Sequence, residues 1–128
     1  MNTPEQQALA ALLSFDRTAR TEDRSREGFY RLGESPEDMG YHVKLTLSVR
    51  HDAASKSYHV QLSVSEERVE GGFVAHRHGF GMPSRDLGTT PAPRFSSKRL
   101  EAIYSETLAA LKQQPAPLIE LLREESER

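Results

Sequence analysis

Two segments of the chain, residues 41–48 (YHVKLTLS) and 58–65 (YHVQLSVS), follow nearly the same strict alternation of apolar and polar residues. A period of two is typical of β-strands that bury one face and expose the other. A shift of one residue in their pairing would turn every apolar side chain toward water, so the pattern also constrains the register. Because the intervening segment 51–57 is short and polar, we expect a β-hairpin.

Length and composition limit the class of protein. The chain has 128 residues and no cysteine, so we expect a single domain over residues 1–128 without disulfides or thiolate metal sites. No apolar run approaches the ~20 residues that a membrane span requires, and the first residues lack the pattern of a secretory signal. We therefore expect a cytoplasmic protein that has no membrane partner.

Helices are predicted at both ends of the chain. Thr3 is a good N-cap with Pro4 at the first helical position, and an apolar stripe then extends to about residue 19. The stripe consists of Ala8, Leu9, Leu12, Phe15 and Ala19. A second helix begins after Ser96 or Ser97, and its apolar residues recur at helical spacing from Leu100 to Leu111. The prolines at 115 and 117 end it and begin a short third helix.

The remaining segments complete the predicted fold. The pattern of residues 73–80 predicts a third strand, and it leaves open a further short strand near Phe29. We expect residues 21–27 to form a mobile surface loop and residues 79–95, which have no period, to form a long irregular one. The fold class is therefore α+β, a three-stranded antiparallel meander with helices packed on one face, in the order α-β-β-β-α-α.

The element order has a family resemblance. It resembles the α-β-β-β-α order of the double-stranded RNA binding domain, and residues 97–99 (SKR) look like the basic start of that family's second helix. Glu101 and Glu106 within the helix, and the connection of about fifteen residues before it, depart from the family pattern. The resemblance implies RNA binding through Lys98 and Arg99, and a free helix N-terminus is by itself favourable for anions.

Charge is unevenly distributed along the chain. Residues 41–100 carry a net charge of +4, whereas the segments before and after them carry −3 each. The polar positions of the predicted sheet add to this basic character, because no carboxylate occurs among those expected to face water. These positions are His42, Lys44, Thr46, Ser48, Arg50, His59, Gln61, Ser63, His76 and His78. Such a face is either an ordinary solvated surface or a donor-rich surface for nucleic acid or an acidic protein patch.

Chemistry-bearing motifs are scarce. His76 and His78 could share one metal ion, but no third ligand is evident, so we predict no metal and no cofactor. The sequence has no nucleophile elbow, P-loop or dinucleotide fingerprint, and we predict no catalytic residue. The candidate binding residues are His42, Lys44, Arg50, His59, His76, Arg77, His78, Arg85, Lys98 and Arg99.

The third helix offers a different kind of contact. Its apolar residues Leu118, Ile119 and Leu122 pack either on the chain's own core or on a partner, including a second copy of the chain. Taken together, the sequence predicts a small non-enzymatic binding or accessory protein that acts through protein–protein interaction. The first alternative is a nucleic-acid-binding protein that uses the basic sheet and helix N-terminus. The second is a small metal-dependent or phosphoester enzyme centred on His76 and His78.

Overall fold

The computed structural model describes residues 3–32, 39–70, 73–78 and 82–127, and of residues 39–41, 69–70 and 73–78 it describes the backbone only. The elements of this part of the chain are, in order, α1 (Pro4–Arg17), β1 (Arg20–Glu22), β2 (Ser25–Leu32), β3 (Met39–Asp52), β4 (Ser57–Glu70), β5 (Phe73–His78), β6 (Ser84–Pro91), α2 (Ser97–Gln113) and α3 (Ala116–Ser126).

One antiparallel sheet contains all the strands. Strands β1, β2, β3 and β4 lie side by side in chain order, and the predicted hairpin is confirmed as the β3–β4 pair, in which Leu45 faces Val64 and Val49 faces Val60. The other edge of β4 is shared, because β6 pairs with residues 57–63 and β5 with residues 66–70. The α+β class is thus confirmed, but the sheet has five strand positions and is larger than the predicted three-stranded meander.

Two segments predicted as loops are strands. Residues 21–27 lie in β1, in the turn that follows it, where Asp23 has a φ of +52°, and in β2. All seven side chains are polar, including Arg26, which lies on the helix side over the Tyr104 ring, so the segment has no apolar period to recognise. Residues 84–91 form β6, whose alternation is interrupted by a register shift opposite Val60 and Gln61. A β-bulge of this kind hides the period-two pattern.

The core lies between one face of the sheet and the three helices. Leu45, Leu47, Val49, Tyr58, Val60, Leu62 and Val64 cover the sheet side, and the helix side is formed by Ala8, Ala11, Leu12, Phe15, Leu100, Ile103, Tyr104, Leu108, Leu111, Leu118, Leu121 and Leu122. The predicted apolar periods of α1 and α2 are confirmed with one exception. Leu9, which we placed on the buried stripe, is 66% exposed, and Ala11 takes its place in the core.

A close contact brings α1, α2 and β2 together at Gly28. The hydroxyl of Tyr104 donates a hydrogen bond of 2.7 Å to the backbone oxygen of Phe15. A Cβ atom at position 28 would collide with both of these oxygen atoms, so only glycine fits. Burial of the phenol raises the pKa of Tyr104 well above its ordinary value.

The third helix packs on the chain's own core. Leu118 and Leu122 are buried, and Ile119 is partly buried against the same cluster. The Arg123 guanidinium forms an ion pair of 3.0 Å with the carboxylate of Glu5, which ties α3 to α1. Of the two alternatives for Leu118 and Leu122, the structure shows packing on the chain's own core, and contact of this helix with a partner stays a prediction. No helix in the described part of the chain is long and apolar enough to cross a membrane.

Candidate functional site: the open face of the sheet

All three helices cover the same face of the sheet, and we name the opposite face the open face. It forms a broad depression of about 1230 Å³ between the β1–β2 turn and β4. Its central side chains are Ser25, Glu27, Thr46, Ser48, Arg50, His59, Gln61, Ser63 and Ser65. These residues are polar because alternate positions of each strand point away from the core.

Antiparallel pairing arranges these side chains in rows across the strands. One row consists of Ser25 on β2, Arg50 on β3, His59 on β4 and Thr89 on β6. We name it the donor row, because each of its side chains can donate a hydrogen bond. Neighbouring strands lie about 4.8 Å apart, so adjacent members of a row are within reach of one ligand.

The imidazole of His59 is surrounded by hydroxyl groups. Its Nε2 atom lies 3.0 Å from the Oγ atom of Ser55 and 3.1 Å from that of Ser57. Its Nδ1 atom lies 3.3 Å from the Oγ1 atom of Thr89. Because a hydroxyl can donate or accept, this surrounding suits either the neutral or the protonated ring.

Two charged side chains of β3 lie beside His59. Arg50 is the direct cross-strand neighbour of His59 and is exposed, and its guanidinium makes no hydrogen bond or ion pair within the described residues. Asp52 accepts a hydrogen bond of 2.9 Å from the backbone N–H of Ala54. That bond holds the pKa of the Asp52 carboxyl below its ordinary value, with smaller effects from Ser55 and from the charge of His59. The carboxylate is therefore ionised at neutral pH.

The open face carries more acidic groups than predicted. Glu22, Asp23, Glu27 and Asp52 line the depression, and Asp86 is the cross-strand partner of Gln61. The expectation of a face without carboxylates is wrong because it considered only the hairpin strands and the third predicted strand. Those carboxylates lie on β1, on β6 and in segments that we had interpreted as loops.

At the far end of the hairpin the open face becomes buried. Lys44 forms an ion pair of 3.2 Å with Glu67, which is 0% exposed. The same ammonium group lies 4.5 Å from the centre of the Phe29 ring. His42, the cross-strand neighbour of Glu67, is 3% exposed. His42 and Lys44 were predicted to point into solvent as donors for a ligand, but they are enclosed by the chain's own side chains.

Three other predicted residues lie away from the open face. Arg85 forms an ion pair of 2.6 Å with Glu124 of α3, on the helix side of the sheet. Lys98 and Arg99 are exposed in the first turn of α2, where the backbone N–H of Arg99 donates to the Oγ atom of Ser96. The predicted binding residues whose side chains are described therefore do not form one surface, and of these only Arg50 and His59 meet in the depression.

The side chains of His76, Arg77 and His78 lie outside the described residues. The backbone register pairs His76 with Arg68 and His78 with Glu66, at least seven positions along β4 from His59. At about 3.4 Å per residue this separation prevents His59 from joining them in one site. Among the described residues no group of three or more potential ligands is placed to hold a metal ion.

Sequence reasoning missed Ser25, Ser55, Ser57 and Thr89. Ser55 and Ser57 lie in the predicted connection of the hairpin, so their closeness to His59 could have been inferred from the sequence. The alternating pattern places Ser57 two positions before His59 on the same face of the strand. Ser25 and Thr89 gave no such signal, since both lie in strands that we interpreted as loops.

The chain matches none of the protein-family models, curated proteins or solved structures with which it was compared. The resemblance to the double-stranded RNA binding domain thus has no support from these comparisons, and the extra strands depart from that domain's element order.

Proposed function

We propose that this protein is a non-enzymatic binding protein that uses the open face of its sheet to bind a protein partner of mixed surface charge. The observation that carries the proposal is that the helices lie on one face of the sheet and leave the opposite face open from the β1–β2 turn to β4, with a depression of about 1230 Å³ lined mostly by polar side chains. Ladder hydrogen bonds hold these side chains on a rigid frame, which favours a preorganised interface. The proposal assigns no catalytic residue.

Charge favours a protein partner over nucleic acid. Among the side chains that the structure describes, Arg24 and Arg50 are the only Lys or Arg residues that line the depression, and four carboxylates line it with them. The phosphate backbone of a nucleic acid would be repelled by the carboxylates of Glu22, Glu27 and Asp52. A folded protein can place Lys or Arg side chains opposite these carboxylates. Lys98 and Arg99 lie on α2 in the helix layer, so they do not offset these carboxylates on the open face.

Blocking the centre of the open face tests the proposal. We expect the variant Ser63→Arg to lose the partner, because a long charged side chain would fill the middle of the depression. The tagged protein would be used to capture partners from the cells that express it, and the affinity of each candidate would then be measured by calorimetry. Binding to labelled DNA and RNA would be measured in parallel by fluorescence anisotropy at low and physiological salt.

The matched control is Ser105→Arg, which makes the same change at an exposed position of α2. The proposal requires that Ser105→Arg keeps the partner while Ser63→Arg loses it, with circular dichroism showing that both variants are folded. Equal binding by the two variants would exclude the open face as the interface. Nucleic-acid binding that falls steeply with salt and becomes stronger in Ser63→Arg would favour the nucleic-acid alternative.

A further inference from the structure

We propose that the donor row and the hairpin turn beside it form a subsite for one phosphate group, presented by a phosphorylated side chain of the partner protein. This inference rests on the proposed function, since it names a chemical feature that the partner would carry. The subsite consists of Arg50, His59, Thr89 and Ser55, with Ser25 at its edge.

The donors at this subsite converge from four elements. Arg50 on β3 and His59 on β4 are direct cross-strand neighbours, and Thr89 on β6 is the next residue in the same row. Ser55 reaches the other side of the imidazole from the hairpin turn, with its Oγ atom 3.0 Å from Nε2. The Arg50 guanidinium has no partner within the described residues, so its planar set of N–H donors is free for a bidentate contact.

The surroundings favour one isolated phosphate over a polyanion. The donor row contains no carboxylate between Ser25 and Thr89, but Glu22 on β1 lies opposite Ser25, and the next row carries Glu27 on β2 and Asp86 on β6. Asp52 is two positions from Arg50 on the same face. A second phosphate at the spacing of a nucleic-acid backbone would therefore meet a carboxylate, whereas a single phosphorylated side chain would not.

The donor set also favours phosphate over carboxylate. A phosphate monoester presents three acceptor oxygen atoms and a charge of about −1.5 to −2. The guanidinium in a bidentate contact, together with a Ser55 or Thr89 hydroxyl that the imidazole of His59 orients, can satisfy all three oxygens, whereas a carboxylate would leave donors unused.

Titration of the isotope-labelled full-length protein with inorganic phosphate and with O-phosphoserine tests the subsite without any partner. We expect saturable NMR shifts at the His59 ring, the Arg50 guanidinium and the Ser55 amide, with much smaller shifts for acetate and for serine. Arg50→Gln should weaken phosphate binding about tenfold or more, which corresponds to at least about 1.4 kcal/mol. Asp52→Asn should strengthen it severalfold, because the amide oxygen still accepts the Ala54 N–H while the repelling charge is gone.

Arg24→Gln is the matched control, since Arg24 lines the same depression but belongs to the β1–β2 turn. Equal weakening by Arg24→Gln and Arg50→Gln would show general charge attraction and overturn the subsite. The subsite would also be overturned by shifts that do not saturate, by acetate binding as tight as phosphate, or by Asp52→Asn binding phosphate no more tightly than the wild type.

The identity of the phosphate source has its own test. A DNA oligonucleotide that saturates the same NMR signals at a lower concentration of phosphate groups than O-phosphoserine requires would overturn the assignment to a protein partner. Loss of partner capture in Ser63→Arg with no phosphate binding in the wild type would refute the subsite alone and leave the proposed function in place.

Discussion

At the scale of single residues, the alternating pattern of the hairpin does not distinguish an exposed polar residue from a buried one. Lys44 on β3 and His59 on β4 both stand at polar positions of the alternating pattern, and the sequence treats them alike. In the fold Lys44 is held by Glu67 and Phe29, whereas His59 faces the depression among hydroxyl groups. The difference arises from neighbours that lie far away in sequence.

The buried ion pair between Lys44 and Glu67 gives the first prediction. Replacing Lys44 by Met should lower the free energy of unfolding by about 3 kcal/mol, because it leaves the charge of Glu67 buried without its ammonium partner. Urea unfolding followed by circular dichroism measures this change. The double variant Lys44→Met with Glu67→Leu should recover much of the loss, since an apolar pair needs no charge compensation. A single variant as stable as the wild type would mean that the other contacts of Glu67 compensate its charge.

At the scale of elements, β6 shows how an irregularity positions a functional residue. Between its pairs with Gln61 and Val60, β6 contains one extra residue, Leu87, and the register shift places Thr89 opposite His59. Without that extra residue, Gly88 would take this position. Gly88 itself has a φ of +140°, which side-chain-bearing residues rarely adopt. The bulge therefore determines which side chain completes the donor row.

A substitution at Gly88 tests the role of this bulge. Gly88→Ala should cost about 1–3 kcal/mol of stability through backbone strain alone, because a Cβ atom there has no neighbour within 4 Å. The loss would be measured by urea unfolding, and NMR shifts of the His59 ring would report the altered contact with Thr89. Ser84→Ala, an exposed change in the same strand, should stay within about 0.5 kcal/mol of the wild type. If Gly88→Ala is no less stable than this control, the bulge tolerates a side chain.

At the scale of the whole molecule, the fold separates two tasks between the two faces of one sheet. The helix side carries the apolar cluster, and ion pairs such as Arg85 with Glu124 tie α3 to the edge of the sheet. The open side carries the polar rows and the depression. Because stability is concentrated on one side, residues on the other can be selected for binding.

A substitution in α3 tests whether this helix belongs to the core. Leu118→Ala should lower the free energy of unfolding by about 2–5 kcal/mol, because it removes a fully buried side chain from the cluster. Chemical denaturation of the isolated chain provides the measurement, and Glu120→Ala, an exposed change in the same helix, is the control. A Leu118→Ala variant no less stable than the control would indicate that the helix packs on something other than its own chain.

The sequence by itself determined the α+β class, the central hairpin with its register, and the apolar faces of α2 and α3. Each of these rests on a repeated apolar period, which reports the burial of one face directly. Only the tertiary structure decided that residues 20–27 and 84–91 belong to strands, because their polar side chains and the β-bulge erase the period. It also decided that Arg50 and His59 share a site while His42 and Lys44 are enclosed, since pairing across strands joins residues that no local pattern connects.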